Sequence, residues 1–374
     1  MAKMLDEIKT YWQQIKNEYE NKYVDSFLRD YEKSKEFLQR MQNYLLKEQT
    51  EFSNSIDIVC TLASVKLELR ENKDDCIKLL NDFLNKFENI FNNTQKARIY
   101  TNMAFYADYS TLTLKYLKKA FNLKSNFSQT YKGLGLYYFS EYEIYQDNKI
   151  LSLSKKYFEI AKNMSENYEN NFNYAVCLYE LNEYEKAKEI FINLLKQYPN
   201  RMRIMLCISY CEAYLKNKEK SKFYLQQVKS DIDDNYHLET DNISEYEIYN
   251  VYYVLNELDE YLNYWSEDDI LKYYIADWRH YFYALWIKNK KELFFKFEKQ
   301  YKEYFKNSIK EAIIDEDYES EEEKQEFIDD CKKESKEFDE IIENIKNGIL
   351  KPEIKLPLYP EYSCFMIDCI RHNF

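Results

Sequence analysis

The chain has 374 residues, 45% of them hydrophobic, which is enough for a large core or one long repeat array. Its 3 glycines and 4 prolines are too few for the tight turns of β folds or for glycine-loop nucleotide enzymes, so an all-helical chain is expected. The formal net charge is −13, and Glu311 to Ile345 holds 16 acidic and 4 basic residues; the remainder is nearly neutral and shows no basic stripe for nucleic acid.

The first residues, MAKMLDEIKTYWQQIKNEYE, are charged and helical, without the apolar run of a secretory leader. No segment approaches the ~20 apolar residues of a membrane span. Residues 4–20 and 24–48 read as two long helices. Trp12, Ile15, Tyr19, Phe27, Leu28, Phe37, Leu38, Met41 and Leu45 recur at helical spacing, predicting an N-terminal hairpin over residues 1–50. Pairs follow at about 53–70 with 74–88, and 94–108 with 111–123, the latter with Ser110 as N-cap.

The pair at about 127–145 and 150–163 carries Gly133 and Gly135, tolerated in a helix where a neighbour comes close. It offers Tyr131, Leu134, Gly135 and Tyr138, then Ser154, Phe158 and Ala161, with an enlarged loop between its halves. The next offers Tyr174, Ala175 and Leu178, then Ala187, Phe191, Leu194 and Pro199. A third has Met205, Ile208 and Ser209, then Ser221, Leu225 and Val228. Ser154, Ala187 and Ser221 are spaced by 33 and 34 residues. This pattern resembles the tetratricopeptide repeat (TPR) family, well over 120–235 and loosely over 50–120.

Beyond a polar loop at Asp231–Asn242 the helices lengthen to about 243–263, 267–288 and 290–313, with Ser266 and Asp269 as a capping pair. An acidic helix over about 320–347 starts with the capping box Ser320–Glu323 and stops at Gly348. Pro352, Pro357 and Pro360 force an extended, apolar tail that packs on the array, followed by a short helix at about 362–371. The expected organisation is therefore a hairpin at 1–50, TPR-like repeats at 51–235, divergent long hairpins at 236–348, and the tail at 349–374. The fold class is all-α: a right-handed superhelical array of antiparallel helix hairpins, a TPR-like α-solenoid with a C-terminal extended tail.

The resemblance implies a concave face lined by first helices and used for peptides. On that face Lys132, Phe172, Asn173, Tyr179, Arg203, Leu206 and Tyr210 form the candidate ligand-binding set. Lys132, Asn173 and Arg203 match part of a family carboxylate clamp, but Leu136 and Cys207 stand where it needs polar residues. Asn173 has a second use, since an amide can pair with both the N–H and the C=O of a peptide backbone.

Other constellations favour plainer readings. Cys364, Asp368, Cys369 and His372 cluster in sequence without a usual zinc spacing, so no metal is expected there. Asp277 and His280 read as a helix-surface pair. Asp231, Asp233 and Asn235 begin like a calcium loop, but Tyr236 and Asn242 break the pattern. The eight cysteines lack a CxxC pair and read as reduced core residues of a cytoplasmic protein.

No triad, phosphate loop or cofactor motif is found. The expected function is a non-catalytic scaffold for a protein or peptide partner, without cofactor, nucleic acid or membrane; the oligomeric state is open. Alternatives are a peptide-sensing regulator resembling the Rap type, or an inhibitor or immunity protein presenting its acidic helix to a basic partner.

Overall fold

The computed structural model describes residues 2–23, 26–230, 241, 243–264, 278–315, 317–318 and 320–374. The polar-loop residues Asp231, Asp233, Asn235, Tyr236 and Asn242, the Ser266–Asp269 capping pair and Asp277 lie outside them. Among the described residues every regular element is an α-helix.

The helices are α1 (Ala2–Tyr23), α2 (Tyr31–Glu51), α3 (Ile56–Glu68), α4 (Lys73–Phe87), α5 (Asn93–Tyr106), α6 (Thr111–Asn122), α7 (Ser128–Tyr145), α8 (Asn148–Met164) and α9 (Tyr168–Glu180). There follow α10 (Tyr184–Gln197), α11 (Met202–Tyr214), α12 (Lys218–Leu225), α13 (Glu245–Val254) and α14 (Leu258–Asn263). Then come α15 (Trp278–Ile287), α16 (Lys291–Ile314) and α17 (Glu321–Lys346).

Local chemistry sets these boundaries. Asp30, Ser55, Asn72, Asn92, Ser110, Asp147, Asn167 and Ser320 each accept a backbone N–H of the first turn that follows, satisfying a donor the helix cannot. Hairpin turns close in a chain almost without glycine by placing other residues in the left-handed region. Arg70, Asn182, Lys216, Asn256 and Asn289 have φ of 58, 62, 62, 59 and 56°. After each, the next N–H reaches back to the carbonyl five residues earlier, as in Glu183 to Leu178 and Asn217 to Glu212, both at 2.8 Å. This is the Schellman closure, which usually takes glycine.

The chain forms two compact units: residues 1–190 with 358–374, and residues 191–357. In the first unit, Ile8, Trp12, Ile15 and Tyr19 of α1 pack with Phe37, Leu38, Met41 and Leu45 of α2 and with Ile58, Leu62 and Val65 of α3. A neighbouring cluster joins α3, α4 and α5 through Cys60, Ala63, Leu80, Leu84, Ile99 and Met103. Helices α7 and α8 come close because Gly135 leaves room; a Cβ there would lie 2.7 Å from the Phe158 ring. Ser154 Oγ donates to the Gly135 carbonyl at 2.8 Å, so a hydroxyl uses the same gap. The expected enlarged loop is not there: only Gln146 and Asp147 separate α7 from α8, because α8 already starts at Asn148, capped by Asp147.

In the second unit the aromatic block becomes core. Tyr253, Tyr261, Phe282, Phe294, Phe297 and Tyr301 pack with Phe338, Ile342 and Ile345 of the acidic helix α17. Tyr301 and Phe338 stack with centroids 5.3 Å apart. The other face of α17 carries its carboxylates to solvent.

The tail is extended as expected, with a two-residue burial rhythm. Pro352, Leu356, Leu358 and Pro360 are buried, while Lys351, Glu353, Lys355, Pro357 and Tyr359 are exposed. That is the pattern of a strand lying on a surface with one face down. The expected helix at 362–371 does not form; isolated turns take its place. The N–H groups of Ile367 and Ile370, which a helix would bind internally, are taken by the side chains of Asn102 and Ser64.

Candidate functional site: the bed of the C-terminal tail

First helices of successive pairs hold the tail, and the first unit shows how. Residues 358–374 run back along α9, α7, α5 and α3 in turn. Glu180 of α9 accepts the Leu358 N–H at 2.7 Å. Asn173 accepts the Glu361 N–H at 2.7 Å and donates to the Glu361 carbonyl at 3.2 Å, so one amide reads both sides of one residue's backbone. Lys132 of α7 donates to Ser363 Oγ at 3.1 Å and to Glu169 at 2.6 Å.

Phe365 fills the space that Gly133 leaves open. A Cβ on Gly133 would lie 2.8 Å from the Phe365 ring and 3.1 Å from Leu117. Phe105 meets the same ring edge-on, with centroids 5.3 Å apart. Asn102 of α5 accepts the Ile367 N–H at 2.9 Å and donates to Asp368 at 2.6 Å. Ser64 of α3 accepts the Ile370 N–H at 3.0 Å. Met366 and Cys369 enter the α3–α5 core, and Ile370 enters the α1–α3 core. Beyond it, Arg371 pairs with Glu68.

A buried charge network fixes the centre of this bed. Arg98 holds Asp368 through both of its carboxylate oxygens and also donates to Asp57 at 2.7 Å. The Asp368 and Asp57 side chains are only 4% and 7% exposed. Burial works against the Arg98 charge, but Asp368 outweighs it, and the guanidinium is held firmly protonated.

Residues 169–201 match the family model described as a tetratricopeptide repeat. Within each unit consecutive helices pack on one another, as they do in a TPR-like α-solenoid. Among the solved structures similar to the chain are the following two. YrrB, described as a TPR protein with an unusual peptide-binding site, is 16% identical, with 49% of this chain and 89% of YrrB covered and a TM-score of 0.40. Yeast Tom70 is 17% identical, with 84% of this chain and 62% of Tom70 covered and a TM-score of 0.35. No curated protein sequence matches the chain.

The repeat register explains which residues meet the tail. Asn102, Gly133 and Asn173 each stand two positions before the small residue of their first helix, namely Ala104, Gly135 and Ala175. All three touch the tail, two as amides and one as a gap. The recurring Asn-x-Ala at 102–104 and 173–175 is the sequence signal that points to Asn102 beside Asn173.

Of the expected set, Lys132 and Asn173 contact the tail. Phe172 and Tyr179 are buried: Phe172 stacks on Tyr168 at 5.6 Å, and Tyr179 meets Tyr184 edge-on at 5.3 Å. In the second unit, Arg203 is paired with Glu247 at 2.5 Å, Tyr210 donates to the Glu247 carbonyl at 3.0 Å, and Leu206 is fully buried. Arg203 and Tyr210 therefore sit between α11 and α13. Lys132 and Arg203, the cations of the partial carboxylate clamp, are paired with Glu169 and Glu247 respectively.

The second unit treats residues 352–356 in the same manner. Tyr214 of α11 accepts the Leu356 N–H at 3.0 Å, Tyr253 of α13 donates to the Pro352 carbonyl at 2.7 Å, and His280 Nε2 of α15 meets the Glu353 carbonyl at 3.0 Å. His280 thus serves the tail. No described helix is long and apolar enough to cross a membrane.

Cys364, Cys369 and His372 converge, with ligand atoms all within 4.8 Å of one another. Asp368, their expected companion, is turned away onto Arg98 and Asn102. The Cys369 thiol is shifted below its ordinary value, first by its hydrogen bond with Cys364, with burial opposing and His372 assisting. Cys364 is raised by the same hydrogen bond and by burial.

Proposed function

We propose that the chain is a non-catalytic protein- or peptide-binding scaffold. Its first-helix face takes an extended polypeptide, and residues 358–374 occupy that face until a partner segment replaces them. The observation that carries this reading is the Asn173 amide pairing with both the N–H and C=O of Glu361. Such a contact reads backbone rather than side chain, so it serves any extended segment whose flanking residues fit. Asn102 and Ser64 also accept main-chain N–H groups, which extends the same mode along the bed.

The test cuts the tail free while keeping every residue present. A protease site replaces the exposed stretch Asn347–Ile349, and the full chain is cleaved there. A fluorescent synthetic peptide of residues 350–374 is then added, and uptake is followed by anisotropy. The labelled peptide should exchange with the resident segment, and Asn173→Ala should weaken its binding about tenfold or more. A nicked chain that never takes up the peptide, or binds it equally well with Asn173→Ala, overturns the reading.

A further inference from the structure

The tail carries two thiols and an imidazole that the peptide contacts leave unused. Cys364, Cys369 and His372 belong to one turn-rich stretch of 9 residues. Cys369 Sγ lies 3.2 Å from His372 Nδ1, and all three donor atoms fall within 4.8 Å of one another. Zinc–sulfur and zinc–nitrogen bonds of about 2.3 and 2.0 Å place the donors of a tetrahedral ion roughly 3.3–3.8 Å apart.

We propose that Cys364, Cys369 and His372 form a zinc site with two sulfur ligands and one nitrogen ligand. Soft sulfur and imidazole donors favour zinc over magnesium or calcium, which need oxygen. His372 is exposed and Cys364 half-buried, so an ion reaches the site from solvent, while Cys369 is buried beneath them. Asp368 is committed to Arg98, which leaves the fourth position to water or to a donor from another molecule.

The site differs from the chain's other cysteines. Cys60, Cys76, Cys177, Cys207, Cys211 and Cys331 are each buried on helices, and among the described residues only the tail cluster groups at least three such ligands. Its chelate ring also encloses Phe365, Met366 and Asp368, the residues that seat the tail. Zinc would therefore organise the segment in the shape that the helices grip. The proposal does not depend on a partner peptide, so its failure leaves the scaffold reading intact.

The experiment uses the full chain, reduced and stripped of metal. Zinc is titrated by equilibrium dialysis, and cobalt(II) is used as a spectroscopic substitute. One ion per chain and a thiolate-to-cobalt charge-transfer band are expected. Cys364→Ser and Cys369→Ser should abolish the band, and His372→Gln should weaken binding on the order of tenfold or more. His372 is exposed, so that variant keeps its fold, as circular dichroism would verify. Zinc should also slow amide exchange across residues 365–370. Failure to retain one zinc per chain, or an unchanged band in Cys364→Ser and His372→Gln, overturns the proposal.

Discussion

Asn173 grips the backbone of Glu361, accepting its N–H at 2.7 Å and donating to its carbonyl at 3.2 Å. Asn173 is itself fully buried, so removing its amide strands two peptide groups without an immediate substitute. Asn173→Ala should cost about 1–3 kcal/mol locally. Hydrogen exchange at the Glu361 amide should then quicken by roughly 10- to 100-fold, since ~1.4 kcal/mol is one decade. Asn173→Asp should not rescue it, because its second oxygen would face the carbonyl. An unchanged exchange rate in Asn173→Ala would remove the amide from the account of how the tail is held.

Arg98 joins two carboxylates with different duties. Asp57 belongs to α3, and Asp368 belongs to the tail. Arg98→Met strips the cation from both and should destabilise the first unit by about 3–5 kcal/mol, the usual effect of stranding buried charge. Asp368→Asn leaves the Asp57 pair intact and should loosen mainly residues 361–371. Urea unfolding with peptide-resolved hydrogen exchange separates the two. Equal effects on α3 and α5 in both variants would contradict this division.

The architecture was legible because helix burial repeats every three or four residues and the small positions Ser154, Ala187 and Ser221 return at 33 and 34. Proline likewise marked the extended tail. What covers the first-helix face was harder to read, since contacts such as Asn102 with Asp368 span 266 positions and obey no local period. Arg203 and Tyr210 illustrate the same limit. The register alone leaves open whether they meet solvent or α13, and Glu247, outside the repeat, takes both. The missing terminal helix has a related cause. Its residues have ordinary helical periodicity, yet side chains from α3 and α5 compete for their N–H groups.

Hairpin turns built without glycine carry a removable cost. Lys216 adopts φ 62° at an exposed turn, where its Cβ is disfavoured by about 1–2 kcal/mol. Lys216→Gly should raise stability by about 0.5–1 kcal/mol after the extra chain entropy of glycine. Asn182→Gly should gain less, because asparagine tolerates this conformation. Thermal unfolding of both variants tests the ranking, and a lowered midpoint for Lys216→Gly would rule out relief of backbone strain as the dominant effect.

Alkali should attack the first unit through its half-buried tyrosines. Tyr142 and Tyr174 are both pushed up to about 12 from an ordinary 10, first by burial and then by Glu180 and Glu159 respectively. Each folded value lies above the unfolded one, so the stabilising contribution is complete below pH 10 and is lost as pH rises through about 12. Tyrosinate absorbance and helical ellipticity should therefore change together across that window. Tyr142→Phe should move the alkaline midpoint upward, whereas a midpoint that stays put would mean that Tyr142 ionisation does not drive the loss.

Gly133 offers the sharpest separation of tail from array. Alanine is the better helix former by about 1 kcal/mol, so Gly133→Ala on propensity alone should strengthen α7. Its Cβ, however, would lie 2.8 Å from the Phe365 ring, closer than real Cβ contacts allow. The ring must therefore shift, and with it the seat of Met366 and Asp368. The expected outcome is faster exchange at residues 363–370 with α7 unchanged or slower. Pairing the change with Phe365→Leu should recover much of the tail protection, because the smaller side chain frees the space the methyl needs. If Gly133→Ala instead loosens α7 and the tail together, Leu117, 3.1 Å away on the other side, is the contact that cannot yield.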